Sequence, residues 1–168
     1  ATVMSRDSFL DATLPGTNED VGWGDDPSTV AVQLFTSGTT GKPKAAILRN
    51  EHLVSYILGS VEFMGADEQE ATLVSVPPYH IAGIATVMSS VYACRRVVQL
   101  PDFSPAAWLD LCERERVTNA FVVPTMLSRI IDHLDAIQHE PSVKSLRALA
   151  YGGGRMPLKV IERALELF

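Results

Sequence analysis

The chain has 168 residues, of which 46% are apolar and 20% charged, and this composition suits one globular domain with a buried core or part of a larger one. A net charge of −6 and a pI of about 5.1 argue against broad binding to nucleic acid or to an anionic membrane. The two cysteines lack C-x-x-C spacing, no apolar run reaches the ~18 residues of a membrane span, and no secretory leader opens the chain. We therefore expect a cytoplasmic protein without a transmembrane segment.

Residues 1–29, rich in Asp, Gly, Pro and Thr, have no sustained period and are predicted to be an irregular lead-in. Short apolar runs then alternate with segments of helical spacing. The runs predict strands at 30–35, 45–49, 71–76, 96–100, 119–123 and 146–151. Helices are predicted at 50–64, 81–93, 106–116, 125–137 and 157–168.

Helical spacing also predicts which side chains face the core. Ser104 followed by Pro105 is typical of an N-cap and first turn. The predicted inward triplets are Leu53, Ile57 and Val61, then Met126, Ile130 and Leu134, then Leu158, Ile161 and Leu165. The alternation of strands and helices indicates an α/β fold over 30–168, with a largely parallel sheet covered by helices on both faces.

The stretch TSGTTGKPK, residues 36–44, combines two glycines, four hydroxyl side chains and two lysines. Glycines allow the backbone to approach a ligand closely, and successive peptide N–H groups can then surround an anion. A turn alone does not need four hydroxyls and two lysines, so the composition favours a polyphosphate site over an ordinary hairpin loop. The common phosphate loop G-x-x-x-x-G-K-[ST] does not fit, because Thr36 replaces its first glycine and Pro43 its final hydroxyl.

The longer motif LFTSGTTGKPKA, residues 34–45, resembles the signature of the adenylate-forming superfamily, which includes acyl-CoA synthetases, aryl-CoA ligases, luciferases and peptide-synthetase adenylation domains. It departs from the family pattern only at Ala45, where glycine is usual. VPPYHIAGI (76–84) resembles the family's P-x-x-H-x-x-G segment, and YGGGRMP (151–157) resembles its glycine-rich turn, with Arg155 and Met156 departing from the usual form. The resemblance covers about residues 30–168.

The resemblance implies an enzyme that joins a carboxylic acid to the α-phosphate of ATP, releases pyrophosphate, and passes the acyl group to coenzyme A, with Mg²⁺ neutralising phosphate charge. It assigns the phosphates to the first motif, and places His80 and Lys44 in catalysis. Gly83 and the glycine turn then border the adenine and acyl group together with His80. The phosphate residues are Thr36, Ser37, Gly38, Thr39, Thr40, Gly41 and Lys44, and the turn consists of Gly152, Gly153 and Gly154.

His80 bears on the type of acid. From the sequence alone a half-buried structural histidine is favoured, whereas the resemblance reverses this preference and places His80 beside the carboxylate to be activated. Amino-acid-activating members carry an aspartate motif here, and YHIAG has none. A plain carboxylic acid is therefore favoured, with a long- or medium-chain fatty acid as the first expectation and an aryl acid as the alternative.

The family's later glutamate motif, which binds magnesium, and its C-terminal domain with a mobile lysine are not found in these residues. We therefore expect an internal fragment of the large domain that is inactive alone, holds no metal site of its own, and self-associates through uncovered apolar surface. A non-enzymatic nucleotide-binding module remains the alternative from another class.

Overall fold

The computed structural model describes residues 26–36, 44–77, 79–138 and 141–168. These residues form six strands and five helices in the order β1 (Val30–Thr36), β2 (Lys44–Arg49), α1 (Asn50–Ser60), β3 (Ala71–Val74), α2 (Ile81–Tyr92), β4 (Arg96–Gln99), α3 (Pro105–Arg114), β5 (Asn119–Val122), α4 (Pro124–Ile137), β6 (Ala148–Tyr151) and α5 (Leu158–Leu167). Every predicted strand and helix is present, with ends that differ by a few residues.

β1 and β2 form an antiparallel hairpin separate from the main sheet. Thr36 pairs with Lys44, at the end of the hairpin where the chain passes from β1 to β2. The N-cap position of α1 is Arg49, and the first helical residue, Asn50, donates from Nδ2 to the Asp26 carbonyl at 3.3 Å. Nδ1 of His52 accepts a 3.1 Å hydrogen bond from the Arg49 amide, which anchors the first turn.

The main sheet has four parallel strands in the order β4-β3-β5-β6. From β3 the chain crosses outward to β4, then returns past β3 to β5 and continues to β6. Because parallel crossovers are right-handed, this reversal places α2 on one face and α3 and α4 on the other. The helix contacts agree, since α2 touches α1, whereas α3 contacts α4 and α4 contacts α5. The predicted parallel sheet with helices on both faces is confirmed.

The core lies mainly between the sheet and the α3–α5 layer. Trp108 and Cys112 of α3 and Ile130 of α4 are completely buried there. Burial raises the pKa of the Cys112 thiol to about 12, because an apolar environment disfavours the thiolate. Ser104 caps α3 as predicted, with Oγ accepting from the Ala107 amide at 3.2 Å.

The helix-face predictions have different outcomes. Met126, Ile130 and Leu134 are all buried, and so are Leu53 and Ile57, whereas Val61 follows the end of α1 and is half-buried. The prediction for α5 was wrong in part: Leu158 and Leu165 are 68% and 80% exposed, and the helix packs through Val160, Ile161, Ala164 and Leu167 instead. The period of α5 was read correctly, but the inward face was assigned about one position out of phase.

Candidate ligand crevice at the carboxyl edge of the sheet

All four parallel strands end at the same edge of the sheet, and the direction of the strand order reverses between β3 and β5. β3 is followed by α2 on one face, and the adjacent β5 is followed by α4 on the other. In open α/β sheets, ligands bind in the crevice outside the carboxyl ends of the strands at such a switch point. The described segments that follow the strands at this edge are 75–77 and 79–80 after β3, 123–124 after β5 and 152–157 after β6.

His80 stands at the entrance to α2. It occupies the N-cap position with extended backbone angles, φ −101° and ψ 145°, and its carbonyl accepts from the amides of Gly83 and Ile84. The side chain is exposed, and the Tyr79 ring lies 4.8 Å from it between centroids. An exposed imidazole beside the positive end of a helix is suited to a carboxylate ligand. The sequence alone favoured a half-buried structural histidine, whereas the imidazole is exposed among the described residues. The role of His80 beside a substrate carboxylate stays a prediction.

Gly83 allows α2 to approach the end of β3. A Cβ atom at this position would lie 2.6 Å from the Pro77 carbonyl oxygen and 3.0 Å from that of Val76. Because both are backbone atoms, the helix could not accommodate a larger residue without moving. Gly83 is buried, so the structure gives it a packing role that sets the position of His80 one turn earlier.

The glycine turn after β6 lies along the end of β5. The Gly152 amide donates to the Val122 carbonyl at 3.3 Å, and a Cβ on Gly152 would be 3.1 Å from Cζ of Phe121. Gly153 has φ +81°, a conformation that favours glycine. Gly153 and Gly154 are exposed, so their backbone groups are accessible from the crevice.

β5 lies between β3 and β6, so the carboxyl ends of β3 and β6, which precede His80 and the glycine turn, are two strand spacings or about 10 Å apart. The parallel register therefore brings two of the sequence-predicted groups to the same edge. Sequence reasoning missed Ser75, which follows β3 directly. Ser75 is buried, and its Oγ donates to the Phe121 carbonyl of β5 at 3.3 Å. The position of Ser75 directly after a buried strand was the available signal.

The phosphate residues are only partly visible. Thr36 ends β1 and Lys44, which is exposed, begins β2. Ser37, Gly38, Thr39, Thr40 and Gly41 lie outside the described residues. The hairpin is joined to the crevice through α1, which contacts both β2 and α2.

An apolar groove of about 340 Å³ opens between α1 and α2. Ile81, Ala82 and Ala85 line it from α2, directly after His80, and Leu48 lines it from β2. The small side chains at positions 82 and 85 therefore leave open space beside α2. Across the described ranges, no group of three or more His, Cys, Asp or Glu residues could hold a metal ion, and no helix is long and apolar enough to cross a membrane.

A doubly wound parallel sheet with a ligand crevice at its switch point defines the general class of this protein. The sequence profile described as "AMP-binding enzyme" matches residues 2–168. The chain therefore belongs to the family of AMP-binding enzymes.

Named relatives extend the comparison. The chain is 33% identical over 141 residues to the 2-succinylbenzoate–CoA ligase of Bacillus pumilus, covering 84% of this chain and 28% of the relative. It is 26% identical over 165 residues to the chloroplastic/peroxisomal 2-succinylbenzoate–CoA ligase of Arabidopsis thaliana, covering 98% and 29%. The chain thus spans less than a third of the length of these curated relatives.

Solved structures agree in fold. O-succinylbenzoate coenzyme A synthetase from Bacillus subtilis, in complex with ATP and magnesium ion, aligns with a TM-score of 0.68 at 30% identity, covering 84% of this chain and 29% of that one. The N-terminal domain of FACL13 from Mycobacterium tuberculosis aligns with a TM-score of 0.81 at 22% identity, covering 95% and 40%, and shows the fold alone. The predicted superfamily and fold class are confirmed.

Proposed function

We propose that this chain is the central α/β part, residues 30–168, of the large domain of an AMP-forming acid–CoA ligase, preceded by a lead-in at 1–29. The observation that carries the proposal is the placement of His80 and of the glycine turn at one edge of the sheet, beside the switch point. Relatives of this family at 33% identity are named as CoA ligases, and a related structure contains ATP and magnesium.

The proposed reaction has two steps. A carboxylate oxygen of the acid attacks the α-phosphorus of ATP, the bond to the bridging oxygen breaks, and pyrophosphate leaves. The coenzyme A thiol then loses its proton to solvent, its sulfur attacks the acyl carbon, and AMP leaves with the electron pair of the acyl–oxygen bond. Both steps gain from fixed donors aimed at the charge that develops.

Each group of residues has a distinct part in the proposal. Backbone amides and hydroxyls of 36–41, with Lys44, bind the ATP phosphates. His80 and the N-terminal turn of α2 orient the acid carboxylate, and Gly152–Gly154 border the adenine and acyl group. Magnesium would shield the phosphate charge when bound, and among the described residues no group of three or more His, Cys, Asp or Glu could hold it.

The acid that the relatives' names favour is aromatic. Those names specify 2-succinylbenzoate, so the proposed substrate class is an aryl acid rather than the fatty acid first expected from the sequence. Small residues beside His80 also leave space for a ring. A fatty acid remains the second candidate, because the groove along α2 is apolar and open.

Acid-dependent exchange of pyrophosphate into ATP by the intact protein tests the proposal. We expect exchange with aryl acids, including 2-succinylbenzoate, and weaker exchange with octanoate and palmitate. Lys44→Gln and His80→Ala should each lower the exchange rate at least tenfold, whereas Lys159→Gln, an exposed substitution of equal charge on α5, should not. Exchange with no acid of the panel would favour the non-enzymatic nucleotide-binding module.

Three further expectations stay predictions. The isolated 168-residue chain should show no exchange, which the same assay measures. Its self-association is testable by sedimentation. The cytoplasmic assignment also remains a prediction, since one relative carries a chloroplastic/peroxisomal name.

A further inference from the structure

We propose that the amino edge of the parallel sheet, opposite the ligand crevice, carries a second binding site for a compact phosphate-type anion. A polar pocket of about 230 Å³ opens there, lined by Gln69, Arg116, Thr118, Lys144, Ser145 and Arg147. Its residues come from the segments that precede β3, β5 and β6. The pocket therefore shares no residue with the crevice at the carboxyl edge.

Charge is the main feature of this pocket. Three cationic side chains line it, and no carboxylate is among the lining residues. Arg147 is already ion-paired beside the pocket, with Nη1 3.6 Å from Asp67 Oδ2 and 3.8 Å from Glu70 Oε1. The Glu70 carboxylate is more closely engaged by Arg95, whose Nε lies 2.7 Å from its Oε2.

Arg116 and Lys144 differ from Arg147 in this respect. In the part of the chain that the structure describes, no carboxylate lies within 4.0 Å of either side chain. Like charges that share a pocket repel one another, and an anion between them would remove that repulsion. Arginine and lysine are also the usual ligands of phosphate oxygens.

The backbone around the pocket is fixed by its own hydrogen bonds. Arg116 has φ 51° and its amide donates to the Glu113 carbonyl at 3.1 Å. The Arg147 amide donates to the Thr118 carbonyl at 2.8 Å, and Thr118 Oγ1 accepts from the Ala71 amide at 3.0 Å. The cationic side chains thus extend from an ordered frame at the ends of three strands, which reduces the entropy lost on binding.

The size and charge of the pocket define the ligand class. A volume of about 230 Å³ accommodates inorganic phosphate, pyrophosphate or the phosphate group of a nucleotide at its mouth. These share a tetrahedral phosphate with two or more negative charges, and the experiment has to distinguish them.

Equilibrium dialysis of the intact protein against labelled inorganic phosphate, pyrophosphate or AMP, at constant ionic strength in chloride, provides the test. Lys144→Gln and Arg116→Gln should each raise the Kd about tenfold or more, because each removes a charged hydrogen-bond donor. Lys159→Gln, which removes an exposed charge on α5, should change the Kd less than twofold. The preferred anion among the three identifies the source of the phosphate.

The site is separable from the proposed ligase activity. Lys144→Gln should leave acid-dependent pyrophosphate exchange unchanged, while Lys44→Gln should impair exchange and leave phosphate binding at the amino edge intact. Circular dichroism of Lys144→Gln and Arg116→Gln checks that both fold. The proposal is overturned if the wild-type protein binds none of the three anions, or if Lys144→Gln and Arg116→Gln, each combined with Lys44→Gln to impair the crevice, bind every anion as tightly as Lys44→Gln alone.

Discussion

Replacing Gly83 by alanine is the most direct test of how α2 is positioned. The added Cβ would lie 2.6 Å from the Pro77 carbonyl oxygen and 3.0 Å from that of Val76. Contacts below 3.0 Å are not tolerated, and neither oxygen can rotate away as the end of a side chain could. The helix must therefore move away from the end of β3, and His80 moves with it.

The magnitude follows from two opposing effects. Overpacking of this kind costs about 1–3 kcal/mol, whereas replacing a helical glycine with alanine gains about 1 kcal/mol. Gly59 in α1 supplies the matched control, because a Cβ there meets nothing within 4 Å. Gly59→Ala should stabilise the protein by up to about 1 kcal/mol. The gain in helix propensity is common to both variants. The difference between their free energies of unfolding therefore gives the cost of overpacking at Gly83, about 1–3 kcal/mol.

Urea unfolding followed by circular dichroism measures both variants. We expect the midpoint to rise for Gly59→Ala and to fall for Gly83→Ala, with equal slopes. In a functional ligase, Gly83→Ala should also raise the KM for the acid more than the KM for ATP. Equal stabilisation by both substitutions would show that α2 is not held against residues 76 and 77, and the packing argument would fail.

Three further predictions concern the core, a helix cap and the glycine turn. The Cys112 thiol has a pKa of about 12 in the folded protein, against an ordinary value near 9.0. The unfolded state therefore loses this proton at a lower pH than the folded state. The contribution of Cys112 to the free energy of unfolding should fall by roughly 4 kcal/mol between pH 9 and 12. Cys112→Ala, compared across pH by urea unfolding, should lack that slope. Ser104→Ala should cost about 1 kcal/mol in thermal unfolding, and the exposed Ser142→Ala should cost almost none. Gly153→Ala should lower the free energy of unfolding by about 1–2 kcal/mol because of its φ of +81°. Gly154→Ala, whose Cβ would have only ordinary contacts, should lower it less. Unchanged stability in both variants would argue against a strained turn.

Much of the fold could be predicted because the strands are apolar and short and the breaks are marked by proline or glycine. Ser104 with Pro105 and the period of α4 gave correct cap and face assignments. The α5 face failed because Leu158 and Leu165 are apolar residues on an exposed face, and periodicity alone cannot tell which apolar stripe meets the core.

The site could be predicted only as separate motifs. The sequence identified His80 and the glycine turn, but their shared edge follows from strand order, which no local pattern encodes. The contact of Gly83 with two backbone carbonyls likewise depends on how close α2 lies to β3. The pocket at Arg116 and Lys144 was missed for the same reason, since its residues are 28 positions apart in the sequence.

The position of β3 in the sheet has a consequence for how the chain is made. β3 must pair with β5, and Thr118 Oγ1 accepts a hydrogen bond from the Ala71 amide, 47 residues earlier in the chain. At about 5–20 residues per second, a ribosome takes roughly 2–10 s to supply that partner after β3 is synthesised. During this interval one edge of an apolar strand lacks its native neighbour, and a nascent chain paused before Asn119 should therefore be a preferred client of chaperones.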